Sequence, residues 1–193
     1  MFILDAEKFK QARITIALVI INVLLFIFFN TRFNYDIFLV LVQINYNIIY
    51  ELEIYRLLTS MFVHADPIHL VSNMFALFIY GTFIETSYKR YQYLVIYFIS
   101  GLMGSLFTLL LFPPDVISLG ASGAIFGLIG ASIYLVIRQG ERFFLILALI
   151  YLAFFVFSSF APGINLWAHL FGLGSGLILG YLFKRKKKKI YHY

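Results

Sequence analysis

The chain has 193 residues, 62% of them hydrophobic and only 12% charged, with a formal net charge of +6 and no cysteine. A soluble globular domain carries roughly 25% charged residues, so this composition excludes an ordinary water-soluble fold and points to a polytopic membrane protein. Without cysteine, disulfides, thiolate metal sites and a cysteine nucleophile are excluded; the basic excess is clustered between apolar runs and in one tail, which reads as membrane topology and not as a nucleic-acid surface.

In chain order, six membrane spans are predicted, making one all-α transmembrane domain over residues 1–193. Span 1 covers residues 13–29. Lys8, Lys10 and Arg13 precede it as in a signal n-region. The run ends in Phe-Phe-Asn-Thr-Arg, however, and not in a small-residue cleavage site, so it is expected to be retained. The connection that follows, residues 30–67, is too polar to span. It is too aromatic for a plain linker, and segments such as residues 38–44 are expected to lie in the membrane interface. Span 2 covers residues 68–86 and ends at Lys89 and Arg90. Span 3, residues 91–112, is stopped by Pro113 and Pro114. Spans 4, 5 and 6 cover residues 121–137, 143–157 and 165–183, and a basic tail occupies residues 184–193. Each run approaches the roughly 20 residues of a bilayer crossing. With six spans, thirteen of the fifteen basic residues fall on one side, and only Arg32 and Arg56 on the other. The positive-inside rule then makes both termini cytoplasmic. The expected location is the plasma membrane of a prokaryote.

Ser122 lies in Gly120-Ala-Ser-Gly-Ala-Ile-Phe-Gly127, where a short polar loop enters span 4. Taken alone, small residues in an apolar helix read as a close-packing face. The rest of the chain changes that reading. Asn73 stands 16 residues before Lys89, Ser122 16 before Arg138 and His169 15 before Lys184. At 1.5 Å per residue all three lie roughly 22–24 Å from the cytoplasmic boundary, some 6–8 Å below the outer surface of a core about 30 Å thick.

The packing faces agree with this depth. Gly123, Gly127, Gly130 and Ala131 form a small-residue stripe on span 4, and Gly172, Gly176 and Gly180 form one on span 6. If the stripes meet, Ser122 faces His169, the base that a serine hydroxyl needs at neutral pH. His69 and Asn73, at i and i+4 on span 2, are expected donors to an oxyanion beside the Ser122 amide. No carboxylate lies one turn from His169, so a Ser–His pair without an acidic third member is expected. Phe126, one turn below Ser122, is placed to pack on the imidazole. His64, His69 and His169 could together offer three zinc ligands. No carboxylate stands beside them as base and the zincin spacing is absent, so neither metal nor other cofactor is expected.

On these residues the chain resembles the rhomboid family of intramembrane serine proteases. The resemblance is carried by His64-x4-His69-x3-Asn73, Gly120-x-Ser122-Gly123 and Ala168-His169-x2-Gly172-x3-Gly176. Tyr55-Arg56 looks like the family's Trp-Arg pair with tyrosine replacing tryptophan, and Gly81 and Glu85 look like its glycine and glutamate at the end of the second helix. The resemblance implies a Ser122–His169 dyad and an oxyanion and substrate-binding group of His69, Asn73, Gly120 and the Ser122 amide. It gives His64 and Phe126 supporting roles. It also implies single-span membrane proteins as substrates, cut in or near the transmembrane segment. The alternatives are an inactive rhomboid-like protein that binds membrane clients, and a small solute transporter. Access to a buried site requires movement, and span 5 with the loop 158–164 is the expected gate and cap, admitting substrate between spans 2 and 5.

Overall fold

The computed structural model describes residues 10–31, 35–140, 145, 146, 149, 150, 152–154, 157 and 165–184. Four helices among them are long and apolar enough to cross a membrane: Pro67–Ser87, Arg90–Leu111, Ser122–Gln139 and Leu166–Phe183. The shorter apolar helix Arg13–Phe29 matches the predicted span 1. Seven of the fifteen residues of predicted span 5 and all of the loop 158–164 lie outside the described residues.

Helix α1 (Arg13–Thr31) is held at its start by a carboxylate from another span. Glu85 accepts from the Ile14 and Thr15 amides at 3.0 and 2.8 Å and from the Thr15 hydroxyl at 2.8 Å. An anion here satisfies orphan amides and complements the positive end of the helix. This explains why a glutamate is buried in an apolar bundle.

The described part of the polar connection, residues 35–67, is built of short elements. Helix α2 (Tyr35–Leu41), strand β1 (Gln43–Ile44), helix α3 (Asn45–Tyr50) and helix α4 (Arg56–Thr59) lead into a 3-10 turn at Ser60–Phe62. The buried Arg56 staples this region. Its guanidinium donates to the Leu39 and Val42 carbonyls and, at 2.6 Å, to Glu53. The Asn45 amide nitrogen sits 3.2–3.3 Å from the Thr108, Phe112 and Pro113 carbonyls. Gln43 donates to the Ser105 carbonyl. These side chains thereby tie β1 and the start of α3 to the C-terminal end of the long helix Arg90–Leu111.

Pro67–Ser87 runs as helix α5 (Pro67–Ala76), a π-helical turn (Leu77–Gly81) and helix α6 (Thr82–Ser87). Asp66 caps its start by accepting from the His69 amide, with proline at the first helical position. Helix α7 (Arg90–Leu111) follows, then strand β2 (Ile117–Ser118), antiparallel to β1 with Gln43 opposite Ser118. Helix α8 (Ser122–Gln139) begins one residue after the predicted boundary because Ala121 is its N-cap, and Gly140 ends it in the left-handed conformation. Helix α9 (Leu166–Lys184) starts behind Asn165, whose side-chain oxygen accepts from the Ala168 amide.

Helix α8 is the buried centre of the bundle, and α9 lies backbone to backbone against it. A Cβ at Gly172 would collide with the Gly123 carbonyl, and one at Gly176 with the Gly127 carbonyl. At Gly180 it would come within 3.0 Å of the Ala131 Cα. The two stripes therefore face each other, as expected from their spacing. Gly174, on the same helix, has nothing within 4 Å of its Cβ position. Overpacking costs about 1–3 kcal/mol, whereas alanine favours a helix over glycine by about 1 kcal/mol. Gly176→Ala should therefore lower the melting temperature of the purified protein, and Gly174→Ala should leave it unchanged or raise it. Thermal unfolding of the two variants side by side checks the facing.

Candidate active site

The loop before α8 is shaped for close approach. Gly120 has φ +113°, a conformation side chains rarely adopt, and its amide donates to the Ser60 carbonyl at 2.9 Å. A Cβ there would come within 2.8 Å of the His69 ring, so only glycine lets that imidazole lie against the chain just before Ser122. Ser122 itself opens α8, where the first-turn amides have no intrahelical acceptor and the helix end is electropositive.

His169 comes from the first turn of α9. Its Nε2 lies 2.9 Å from Ser122 Oγ. Phe126 stacks on the imidazole with centroids 4.3 Å apart and planes 6° from parallel. The ring is buried and held between the serine and the phenyl face. Its backbone is positioned by the glycine contacts one and two turns below.

Both residues line a cavity of about 980 Å³ together with His69, Asn73 and Gly120. Asp66 is the one carboxylate among its described lining residues, and it is engaged in capping α5. The Asn73 amide donates to the His69 carbonyl at 2.8 Å, leaving its second N–H for another acceptor. Its side-chain oxygen is buried and makes no hydrogen bond. His64 does not line the cavity. It packs edge-on to His69 with centroids 5.0 Å apart, and neither of its ring nitrogens has a hydrogen-bond partner. The cavity reaches Ile68 on α5, 82% exposed, and Phe154 of the predicted span 5, 65% exposed. The predicted cap 158–164 lies outside the described residues.

Two lining residues escaped the sequence reading. Asn165 donates to the Thr108 hydroxyl at 2.6 Å while capping the turn that carries His169. An asparagine just before an apolar helix is a capping signal. Its link to α7 has no trace in local sequence.

His64 lies in the loop before α5, outside the spans. Burial is the main cause that pushes its pKa down to about 3; nearby His69 acts in the same direction, and Asp66 opposes. The native state holds this imidazole neutral, while the unfolded chain protonates it near the ordinary value of about 6.5. Stability from this group is therefore complete above about pH 6.5. It falls as the pH drops toward 3, by at most about 1.4 kcal/mol per pH unit. Chemical unfolding in detergent between pH 7.5 and 4 should show a shallower slope for His64→Gln than for the unsubstituted protein.

A family model described as a rhomboid domain matches residues 51–186, from the end of α3 through α9. The putative rhomboid protease YdcA of Bacillus subtilis is 37% identical over 145 residues, covering 72% of each chain. RHOMBOID-like protein 1 of Arabidopsis thaliana is 34% identical over 141 residues, 70% of this chain and 36% of that protein. Inactive RHOMBOID-like protein 8 of the same plant is 43% identical over 79 residues, 41% of this chain and 22% of that protein. The chain spans less than half the length of these plant relatives. With the domain match covering more than half of the chain and every residue of the Ser122–His169 cavity named above lying inside it, this multi-pass membrane protein belongs to the rhomboid family.

Proposed function

We propose that the chain is an intramembrane serine endopeptidase that cuts single-span membrane proteins within or near the transmembrane segment, using a Ser122–His169 dyad. The observation that carries this reading is the 2.9 Å approach of His169 Nε2 to Ser122 Oγ inside a cavity large enough for a peptide segment. With its proton on Nδ1, His169 accepts the Ser122 proton at Nε2 as Oγ attacks the scissile carbonyl. The resulting oxyanion is met by the Ser122 amide, the second N–H of Asn73 and the His69 ring. The imidazolium then returns the proton to the leaving amine, giving an acyl-enzyme that water hydrolyses by the same route in reverse. Phe126 keeps the ring in line through both steps, and His64 supports His69 from behind.

The reach of the cavity from Ile68 to Phe154 supports lateral entry of substrate between spans 2 and 5. The four candidate spans, α1 and the apolar run 143–157 support six crossings in a single domain with both termini cytoplasmic. A plasma-membrane location in a prokaryote follows the same reading.

The inactive plant relative is the observation that favours a second reading, a client-binding protein without turnover. A fluorophosphonate probe separates the two. The expected outcome is covalent labelling of the purified protein, abolished in Ser122→Ala and in His169→Ala, with cleavage of a transmembrane reporter lost in parallel. Unlabelled but folded protein would establish the binder instead. Loss of one oxyanion donor costs on the order of 10²–10³ in rate, so Asn73→Ala should lower kcat by that factor with KM nearly unchanged. Unchanged kcat with raised KM would assign Asn73 a binding role only.

A further inference from the structure

His169 stands in the first turn of α9, and helix ends are where a helix frays. Its own amide makes a long bond of 3.4 Å to the Asn165 carbonyl. If that turn loosens, the ring moves with it. Two of the contacts that hold the turn come from different neighbours. From α8, the Gly123 carbonyl occupies the place of a side chain at Gly172, one turn further along α9. From α7, the hold is a chain of hydrogen bonds through Asn165. Its side-chain oxygen accepts from the Ala168 amide at 3.0 Å, and its side-chain nitrogen donates to the Thr108 hydroxyl at 2.6 Å. That hydroxyl donates in turn to the Gly104 carbonyl at 2.8 Å, one turn back on α7. Gly104 completes the contact, since a Cβ there would come within 2.9 Å of the Ala168 carbonyl oxygen.

The residue type fits this double duty. The Ala168 amide needs an acceptor, and the Thr108 hydroxyl, with its hydrogen on Gly104, takes a donor. Asparagine carries both on one short side chain. Ionised aspartate has no donor to offer, and serine, an equally good cap, is too short to reach Thr108 as well. An ordinary N-cap serves only its own helix. This one is tied to a fully buried residue of another span. We propose that Asn165, latched to Thr108, is a positioning residue: it fixes the height and rotation of His169 beside Ser122 without touching the reacting atoms. This role rests on the Ser122–His169 dyad proposed above. In Ser-His-Asp hydrolases a buried acid orients the imidazole. Here the carboxylate among the described cavity residues, Asp66, is engaged in capping α5. The Phe126 face orients the ring, and the latch orients the backbone that carries it.

The test uses the full chain in detergent micelles. It follows the rate of covalent labelling by a fluorophosphonate, which needs the dyad but little of the substrate site, together with kcat and KM on a transmembrane reporter. Asn165→Ser keeps a cap on α9 and loses the latch. Thr108→Val loses the latch from the other side with the cap intact. A misplacement of about 1 Å costs on the order of 10²-fold in rate, so each substitution should slow labelling and lower kcat by roughly 10- to 100-fold, with KM nearly unchanged. Together they should cost no more than either alone, because they break the same bond. Thr108→Ser, which keeps the hydroxyl, should restore most of the rate. Tyr88→Phe removes the hydrogen bond that the Tyr88 hydroxyl donates to the Gly180 carbonyl at the far end of α9. It loosens the helix away from His169 and should leave labelling unchanged. Thermal unfolding verifies that each variant is folded at the assay temperature. Unsubstituted rates in both latch variants, multiplied losses in the double variant, a raised KM at unchanged kcat, or equal slowing by Tyr88→Phe would overturn the latch. An unsubstituted protein that neither labels nor cleaves would instead overturn the dyad on which the latch rests.

Discussion

The backbone contact between α8 and α9 is the constraint on which the rest of the molecule depends. Lipid offers no hydrophobic drive for helices to associate, so packing has to come from close van der Waals approach. Gly172 and Gly176 remove the side chains that would hold the helices apart, and the carbonyls of Gly123 and Gly127 fill the space. That approach sets the register of the two helices one against the other. His169 stands one turn above Gly172 and Ser122 one residue before Gly123, so the contact that joins the helices also sets the 2.9 Å distance between imidazole and hydroxyl.

Around this pair several buried polar groups act as joints between elements. Glu85 closes the amide end of α1. Arg56 collects the carbonyls of the first connection, and Asn45 those at the end of α7. An unpaired charge or amide is costly away from water, so each of these residues specifies its partners and penalises alternatives. Two elements that line the cavity, the first connection and the α7–α8 loop, are linked by the short β1–β2 ladder. Their polarity therefore serves order and not exposure.

The two ends of the bundle are built on different chemistry. The end with Ser122 is a large cavity with neutral polar groups and imidazoles, its carboxylate engaged in a cap. The end with Lys89 and Arg90 is small and basic. Fixed dipoles act strongly where water is sparse, which favours the proposed reaction, in which charge develops only transiently.

Much of this was determined by the sequence itself. Apolar run lengths and basic clusters mark the spans because lipid tolerates neither exposed backbone nor unpaired charge. The spacing of Asn73, Ser122 and His169 from their basic markers placed them at one depth, since helical rise is fixed. The glycine period on α9 announced its packing face, and Gly120 and Ser122 announced the loop. What tertiary structure decided was who meets whom across spans. The engagement of Asn165 with Thr108, of Asn45 with the end of α7 and of Glu85 with the start of α1 joins residues 57 to 71 positions apart. Nor does sequence say that the Asn73 amide spends one N–H on the His69 carbonyl, or that His64 stands behind His69 and outside the cavity. Helical period and run length are local quantities and can be read along a chain. The rotation of each helix about its axis is settled only when all of them pack, and it is that rotation which assigns every polar side chain its partner.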